Sequence, residues 1–121
     1  MEKILSNFGE SFIENVRDNS LFIFESILSG RMKDVESREI YNKFNNLSEE
    51  ERTLIKQIAY KMVDLTIHNV MFFFEQDIDD WKISNSRKQV EDLANLSDGL
   101  TGELYSEDGW IKQFSKYRSS L

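Results

Sequence analysis

Apolar side chains recur along most of the chain at the period of an α-helix. In the first segment Phe12, Val16, Ile23 and Ile27 fall on one helical face with Phe8 and Leu28 beside it, which predicts a helix to about Ser29. Gly30 follows where a left-handed C-terminal cap is wanted, and Asp18-Asn19-Ser20 offers a second N-cap that would split the segment. Val35, Ile40, Tyr41 and Phe44 predict a shorter amphipathic helix from about Asp34 to Phe44, closed by Asn45-Asn46-Leu47. Ser48-Glu49-Glu50-Glu51 is the clearest helix start: the Ser48 hydroxyl can accept a backbone N–H while Glu51 reaches back, and three carboxylates suit the positive end of the helix dipole. From there Leu54, Ile55, Ile58, Met62, Leu65, Val70 and Phe73 continue a helical pattern to about Gln76, roughly 40 Å of helix that is mostly amphipathic until Ile67. Val70-Met71-Phe72-Phe73-Phe74 points apolar side chains in every direction, so other helices or a second subunit must cover that end.

Beyond Asp77-Ile78-Asp79-Asp80-Trp81 the pattern changes. A short helix is expected from Arg87 to Leu96, and Ser97-Asp98-Gly99-Leu100 and Ser106-Glu107-Asp108-Gly109-Trp110 read as helix starts with Ser97 and Ser106 as N-caps. A closing helix would carry Trp110, Ile111, Phe114 and Tyr117 and end in a frayed tail from Arg118 to Leu121. No segment sustains the period-2 alternation of a strand. The expected fold is therefore all-α, a single-domain irregular helical bundle spanning residues 1–121, with about five helices around a long central one.

Composition narrows the chemistry. The chain has 121 residues, no Cys, no Pro and one His, which excludes a disulfide framework, a Cys-ligated metal and a thiol nucleophile and removes the strongest helix breaker. At this length a core burying roughly 65% of the unfolded surface is within reach without staples. The N-terminal residues do not form a secretory signal and no apolar run approaches the ~20 residues of a membrane span, so a cytoplasmic protein is expected. A net charge of −7 argues against nucleic acid as a partner and points to solubility or to a basic partner protein.

The sole histidine, His68, shares a helical face with Lys61, Asp64 and Glu75, and Asp64 lies one turn before it. Asp64, His68 and Glu75 are thus the candidate metal or small-ligand set. The plainer reading is a polar stripe, because bundle metal sites repeat Glu-x-x-His on several helices and this chain does not. Asp77-x-Asp79-Asp80 lacks the Gly and Glu of a calcium loop: Lys82 and Lys88 stand in those places. No nucleophile elbow, phosphate loop or dinucleotide turn is present, so neither an enzyme nor a cofactor is expected. The more informative feature is the stretch between Lys88 and Lys112, which has no basic residue but carries Glu91, Asp92, Asp98, Glu103, Glu107 and Asp108 interleaved with Leu100, Leu104, Tyr105 and Trp110. Carboxylates steer a basic protein and aromatic side chains anchor it, so Asp98, Glu103, Tyr105, Glu107, Asp108 and Trp110 are the candidate partner-binding residues. The alternative is that the acids solvate one face while the aromatics pack inward.

Ile67-His68-Asn69-Val70-Met71-Phe72-Phe73-Phe74-Glu75, with Ser97-Asp98-Gly99-Leu100 and the run from Gly102 to Ile111, resembles a group of small acidic helical bacterial proteins. That group includes uncharacterised families and immunity proteins of contact-dependent toxin systems. The resemblance implies a non-enzymatic protein that neutralises a cationic toxin domain, such as a nuclease. It transfers no functional residue, since immunity proteins share a role and not a motif. The competing expectations are a bundle binding a ligand or metal near His68, and a homodimer through Phe72, Phe73 and Phe74.

Overall fold

The computed structural model describes residues 2–76, 80–87 and 89–117. The chain is all-helical, with no strand among these residues. Helix α1 (Glu2–Phe12) passes through a π-helical turn (Ile13–Asp18) directly into α2 (Asn19–Leu28), making one continuous rod. Two more helices follow, α3 (Val35–Asn45) and the long α4 (Glu49–Gln76). The C-terminal part holds two short 3₁₀ helices, Leu93–Leu96 and Leu100–Leu104, and a last short helix α5 (Trp110–Phe114).

Local chemistry accounts for most boundaries. The first rod ends in a Schellman cap: Arg31 N donates to Ser26 O at 3.0 Å and Gly30 N to Ile27 O at 3.2 Å. Gly30 adopts φ +80°, a conformation that costs a side-chain-bearing residue but not glycine. Asp34 caps α3 by accepting from Ser37 N at 3.1 Å. At the start of α4 the reciprocal pair expected of Ser48 and Glu51 is present, with Ser48 N donating to Glu51 Oε1 at 2.9 Å and Glu51 N donating to Ser48 Oγ at 3.1 Å. The 28 residues of α4 make it the longest element and, at 1.5 Å per residue, about 42 Å of spine.

The core lies between the first rod, the C-terminal half of α4 and the C-terminal segment. Ile13, Ile67, Met71, Val90, Leu93, Leu100, Leu104 and Trp110 form its buried centre. Trp110 stands edge-on to Phe8, with centroids 5.7 Å apart, and packs over Gly9, where an added Cβ would come within 2.5 Å of the indole ring. Gly9 is thus the gap that lets the indole reach the rod.

Five expectations are corrected. Counting the continuous rod as one with α3, α4 and α5, the described residues form four helices and not about five, because the stretch expected as a helix from Arg87 to Leu96 contains only the turn Leu93–Leu96 among its described residues. Asp18 does not split the first segment: its backbone is helical and its carboxylate caps nothing on α2. Counting 3.6 residues per turn also misplaces the stripe on this rod, since the π turn holds an extra residue and shifts the phase. Phe12 and Ile27 are half-buried, Val16 and Ile23 are exposed, and Ile13, Arg17 and Leu21 point inward instead. On α4 the error is larger: Leu54, Ile58, Met62, Leu65, Val70 and Phe73 are exposed, while Ile67 and Met71 are the residues in the core. Lastly, Ser97 and Ser106 are not N-caps; Gly99 and Gly109 take those positions. No helix among the described residues is long and apolar enough to cross a membrane.

Candidate functional site

The sequence-predicted residues divide into buried supports and an exposed rim. Trp110 is only 4% exposed and belongs to the core, which removes it as a free anchor. Glu103 is half-buried and accepts a hydrogen bond from Ser97 Oγ at 2.6 Å; the same hydroxyl accepts from Gly99 N at 3.1 Å, so Ser97 and Glu103 fix the entry to the second 3₁₀ helix. Asp98, Glu107 and Asp108 are exposed, and Tyr105 is 50% exposed. Of the six candidates, four therefore face solvent and two build the scaffold beneath them.

Three of the six nevertheless meet. Glu103, Asp108 and Trp110 line one cleft of about 240 Å³ together with Leu5, Ser6, Leu96 and Gln113, at the junction of α1 with the C-terminal segment. The cleft combines two carboxylates with apolar walls and one side of an indole. Such a lining suits the end of a Lys or Arg side chain, whose methylene stem takes the apolar wall while its charge meets the carboxylates. Gln113 Nε2 donates to the Asp108 carbonyl, tying α5 to the loop that carries the acids.

Tyr105 lies on a different side, tilted against His68 with centroids 5.8 Å apart, and His68 stacks on Phe72 at 6.2 Å. The Tyr105 phenol is held above its ordinary value, first by burial and then by the negative charge of Asp64, with Arg17 opposing. It stays neutral through the physiological range, and the residue as a whole is half exposed.

The alternative set does not converge. Asp64 is engaged by Arg17, whose Nε donates to Oδ1 at 2.6 Å. Glu75 Oε1 instead accepts from both Thr101 N, at 3.1 Å, and Thr101 Oγ1, at 3.0 Å, capping the second 3₁₀ helix from across the fold. Eleven positions separate Asp64 from Glu75, roughly 16 Å of helix, so one ion cannot be reached by both. Among the described residues no three of His, Cys, Asp or Glu are grouped as a metal site would need. Asp77 and Asp79, weighed for calcium, lie outside the described residues.

Sequence reasoning missed the polar centre of the molecule. Arg17 is fully buried, and its guanidinium donates to Asp64, to Ser115 Oγ at 2.7 Å and to the Tyr117 carbonyl. Asp18 accepts from Ser115 Oγ at 2.6 Å and from Lys116 N at 2.8 Å. The π turn makes this arrangement feasible by letting consecutive residues both face inward. One indication was present in the sequence: Arg17 interrupts Ile13 and Leu21 at four-residue spacing, placing a cation within a buried stripe. No buried side-chain nitrogen or oxygen among the described residues is left without a partner. The network is therefore satisfied by the chain itself and works as a structural clamp on the C-terminal segment.

The acidic cleft and rim are thus the part of the candidate site that the fold leaves open. No protein-family model matches the chain, and no curated protein and no solved structure is similar to it.

Proposed function

We propose that this protein is a non-enzymatic binding module whose acidic cleft and rim receive a basic partner protein. The observation that carries the reading is the cleft where Glu103 and Asp108 meet the wall formed by Leu5, Leu96 and Trp110. A cationic side chain entering it gains charge-assisted hydrogen bonds in a partly desolvated setting, where they are worth more than on an open surface. Exposed Asp98 and Glu107 extend the negative field and raise the encounter rate, and half-exposed Tyr105 offers a rigid ring further out.

A nuclease-type toxin domain is the specific partner in this proposal. It rests on the resemblance of residues 67–75, 97–100 and 102–111 to a group of small acidic helical proteins that includes uncharacterised families and immunity proteins, and it agrees with the chemistry, since a phosphate-binding surface is basic. The acids would cover the phosphate path and exclude the substrate.

The test is capture of basic proteins at low salt with release by salt steps, followed by association kinetics with the released protein. The triple variant Asp98→Lys, Glu107→Lys, Asp108→Lys alters only exposed positions, so it should fold normally. It should slow association about tenfold or more and flatten its salt dependence. Association that is unchanged at low salt would remove this surface from the reading.

A further inference from the structure

The acidic cleft holds one polar group that pairs with nothing in the chain. Trp110 is only 4% exposed, yet among the described residues its indole Nε1–H meets no acceptor. No side-chain nitrogen sealed from solvent lacks a partner there, so this N–H reaches open space. The position of Gly9 shows which way it faces. A Cβ at Gly9 would lie 2.5 Å from Cδ2, Cε2 and Nε1 alike, so the rod covers the flat face of the five-membered ring. The N–H lies in the ring plane and therefore points past the rod, not into it. The space beside it is the cleft that Trp110 lines with Leu5 and Ser6, one turn before Gly9.

Deeply buried donors are normally bonded, because desolvating one without a partner costs free energy. The indole N–H thus calls for an acceptor from outside the chain. The carboxylates call for the opposite. One Glu103 oxygen takes the Ser97 hydroxyl and the other has no donor, and the ion pairs among the described residues involve neither Glu103 nor Asp108. An occupant must bring a cation, an apolar stem for Leu5 and Leu96, and an oxygen acceptor attached to them. A simple amine or a metal ion brings no acceptor. A free amino acid brings one as a carboxylate, which Glu103 and Asp108 repel. A cationic residue within a peptide chain brings all three, its backbone carbonyl being the acceptor.

We infer that the cleft takes one arginine residue of the basic partner, with the guanidinium on Glu103 and Asp108 and the backbone carbonyl on the Trp110 N–H. This rests on the reading of the cleft as the place where a basic protein docks, and adds the residue type and the contact that select it. Arginine fits better than lysine on two counts. Its fork of donors serves two carboxylates at once, and a guanidinium gives up water more readily than an ammonium, which a partly enclosed cleft requires. At about 240 Å³ the cleft is smaller than the ~300–1,000 Å³ of sites that enclose drug-sized ligands, as suits a single side chain.

The test uses the full chain and small probes. Nα-acetyl-arginine N-methylamide, titrated to about 20 mM at low salt, should move the Trp110 indole N–H resonance downfield. Trp81→Phe, which alters an exposed ring, assigns that signal. Butylguanidinium carries the same cation and stem without the carbonyl, so it should bind about fivefold more weakly and leave the resonance in place. Nα-acetyl-lysine N-methylamide should bind about threefold more weakly than the arginine probe. Glu103→Gln keeps an oxygen for Ser97 and should weaken the arginine probe about tenfold. An unmoved indole signal would overturn the inference, as would equal binding with and without the carbonyl, or equal binding of arginine and lysine. Since the probes contain no partner protein, the two readings fail separately. Silent probes beside an association that depends on the acidic rim overturn the arginine cleft and keep the acidic-surface reading; probes that bind as expected beside an association indifferent to the rim do the reverse.

Discussion

The two faces of α4 are built from the same kinds of residue and meet opposite fates. Ile67 and Met71 on one face are sealed under the first rod and the second 3₁₀ helix, while Leu54, Ile58, Met62 and Leu65 on the other remain open. What separates the faces is where the polar residues are placed. The inner face carries Tyr60, Asp64 and Glu75, which bond Glu25, Arg17 and Thr101 respectively. Those three contacts join α4 to α2, to the π turn and to the C-terminal segment. The lesson is that apolar content qualified both faces to be core, and directional polar partners decided which one the fold used.

The sharpest break of this comparison is at Arg17. It is fully buried with Asp64 and Asp18 beside it, so removing it leaves both carboxylates without their cation and takes one of the two donors from Ser115 Oγ. Arg17→Met should cost about 3–5 kcal/mol, the usual penalty for breaking a buried pair from one side. Thermal melting should fall by 10 °C or more on that scale. A loss under about 1 kcal/mol would show that the clamp does not hold the C-terminal segment. The double replacement Arg17→Met, Asp64→Leu should recover part of the loss, since two apolar side chains need no partner.

Next in size is a matched pair of truncations on the two faces. Met71→Ala should destabilise by about 2–5 kcal/mol, because the removed thioether leaves a cavity in the core. Met62→Ala, of the same chemistry but about half exposed, should change the stability of the monomer by less than about 0.5 kcal/mol. Urea unfolding of the two variants in dilute solution measures the contrast directly. Equal losses would mean that the outer face is already buried in the protein as it exists in solution.

How much of this was legible in the sequence follows from the same contrast. The end of the first rod and the starts of α3 and α4 were, because those caps are local: Gly30, Asp34 and the Ser48–Glu51 pair act within a few residues of themselves; the starts in the C-terminal segment were not, since Gly99 and Gly109 stand where Ser97 and Ser106 were expected. The existence of a long α4 was also legible, since its apolar period holds on either face. Which face turned inward was not, because Leu54-Ile58-Met62-Leu65 scores as well as the true core stripe and the deciding contacts come from residues 17, 25 and 101. The π turn defeated the phase on the first rod for a different reason: a single extra residue rotates everything after it, and Val16 and Ile23 went to solvent as a result. In the candidate site, Asp98, Glu107 and Asp108 were legible as exposed acids. Trp110 was not legible as buried, because its burial depends on Gly9, about a hundred residues earlier, leaving room for the ring.

That dependence supplies a smaller prediction. Gly9→Ala places a methyl 2.5 Å from the Trp110 ring, which is rigid and held in the core, so the rod and α5 must separate slightly. A loss of about 1–3 kcal/mol is expected from such overpacking. Since Trp110 also walls the acidic cleft, the near-ultraviolet dichroism of the indole should change together with the stability. A stabilised Gly9→Ala variant, as helix propensity alone would give, would show that the indole does not pack on the rod this closely.

The smallest effect lies at the N-terminal end of α4, where the charge is local and exposed. Hydrogen bonds from Ser48 N and Ser48 Oγ hold the Glu51 carboxyl below its ordinary value of 4.5, the backbone bond contributing most; at the start of α3 the bonds from Ser37 similarly lower Asp34. A carboxyl depressed in the folded state stabilises it above the unfolded value, and that contribution is lost as pH falls through the folded one. Glu51→Gln keeps the hydrogen-bonding shape of the capping box and removes only the charge. The melting temperature of the parent should therefore exceed that of Glu51→Gln at pH 6, and the gap should close as the pH drops below about 4. Ser48→Ala, which removes the hydroxyl, should lower stability by about 1 kcal/mol at pH 6. A gap between parent and Glu51→Gln that persists unchanged at pH 3 would show that charge has no part in starting α4, leaving its position to be set by the inner-face contacts alone.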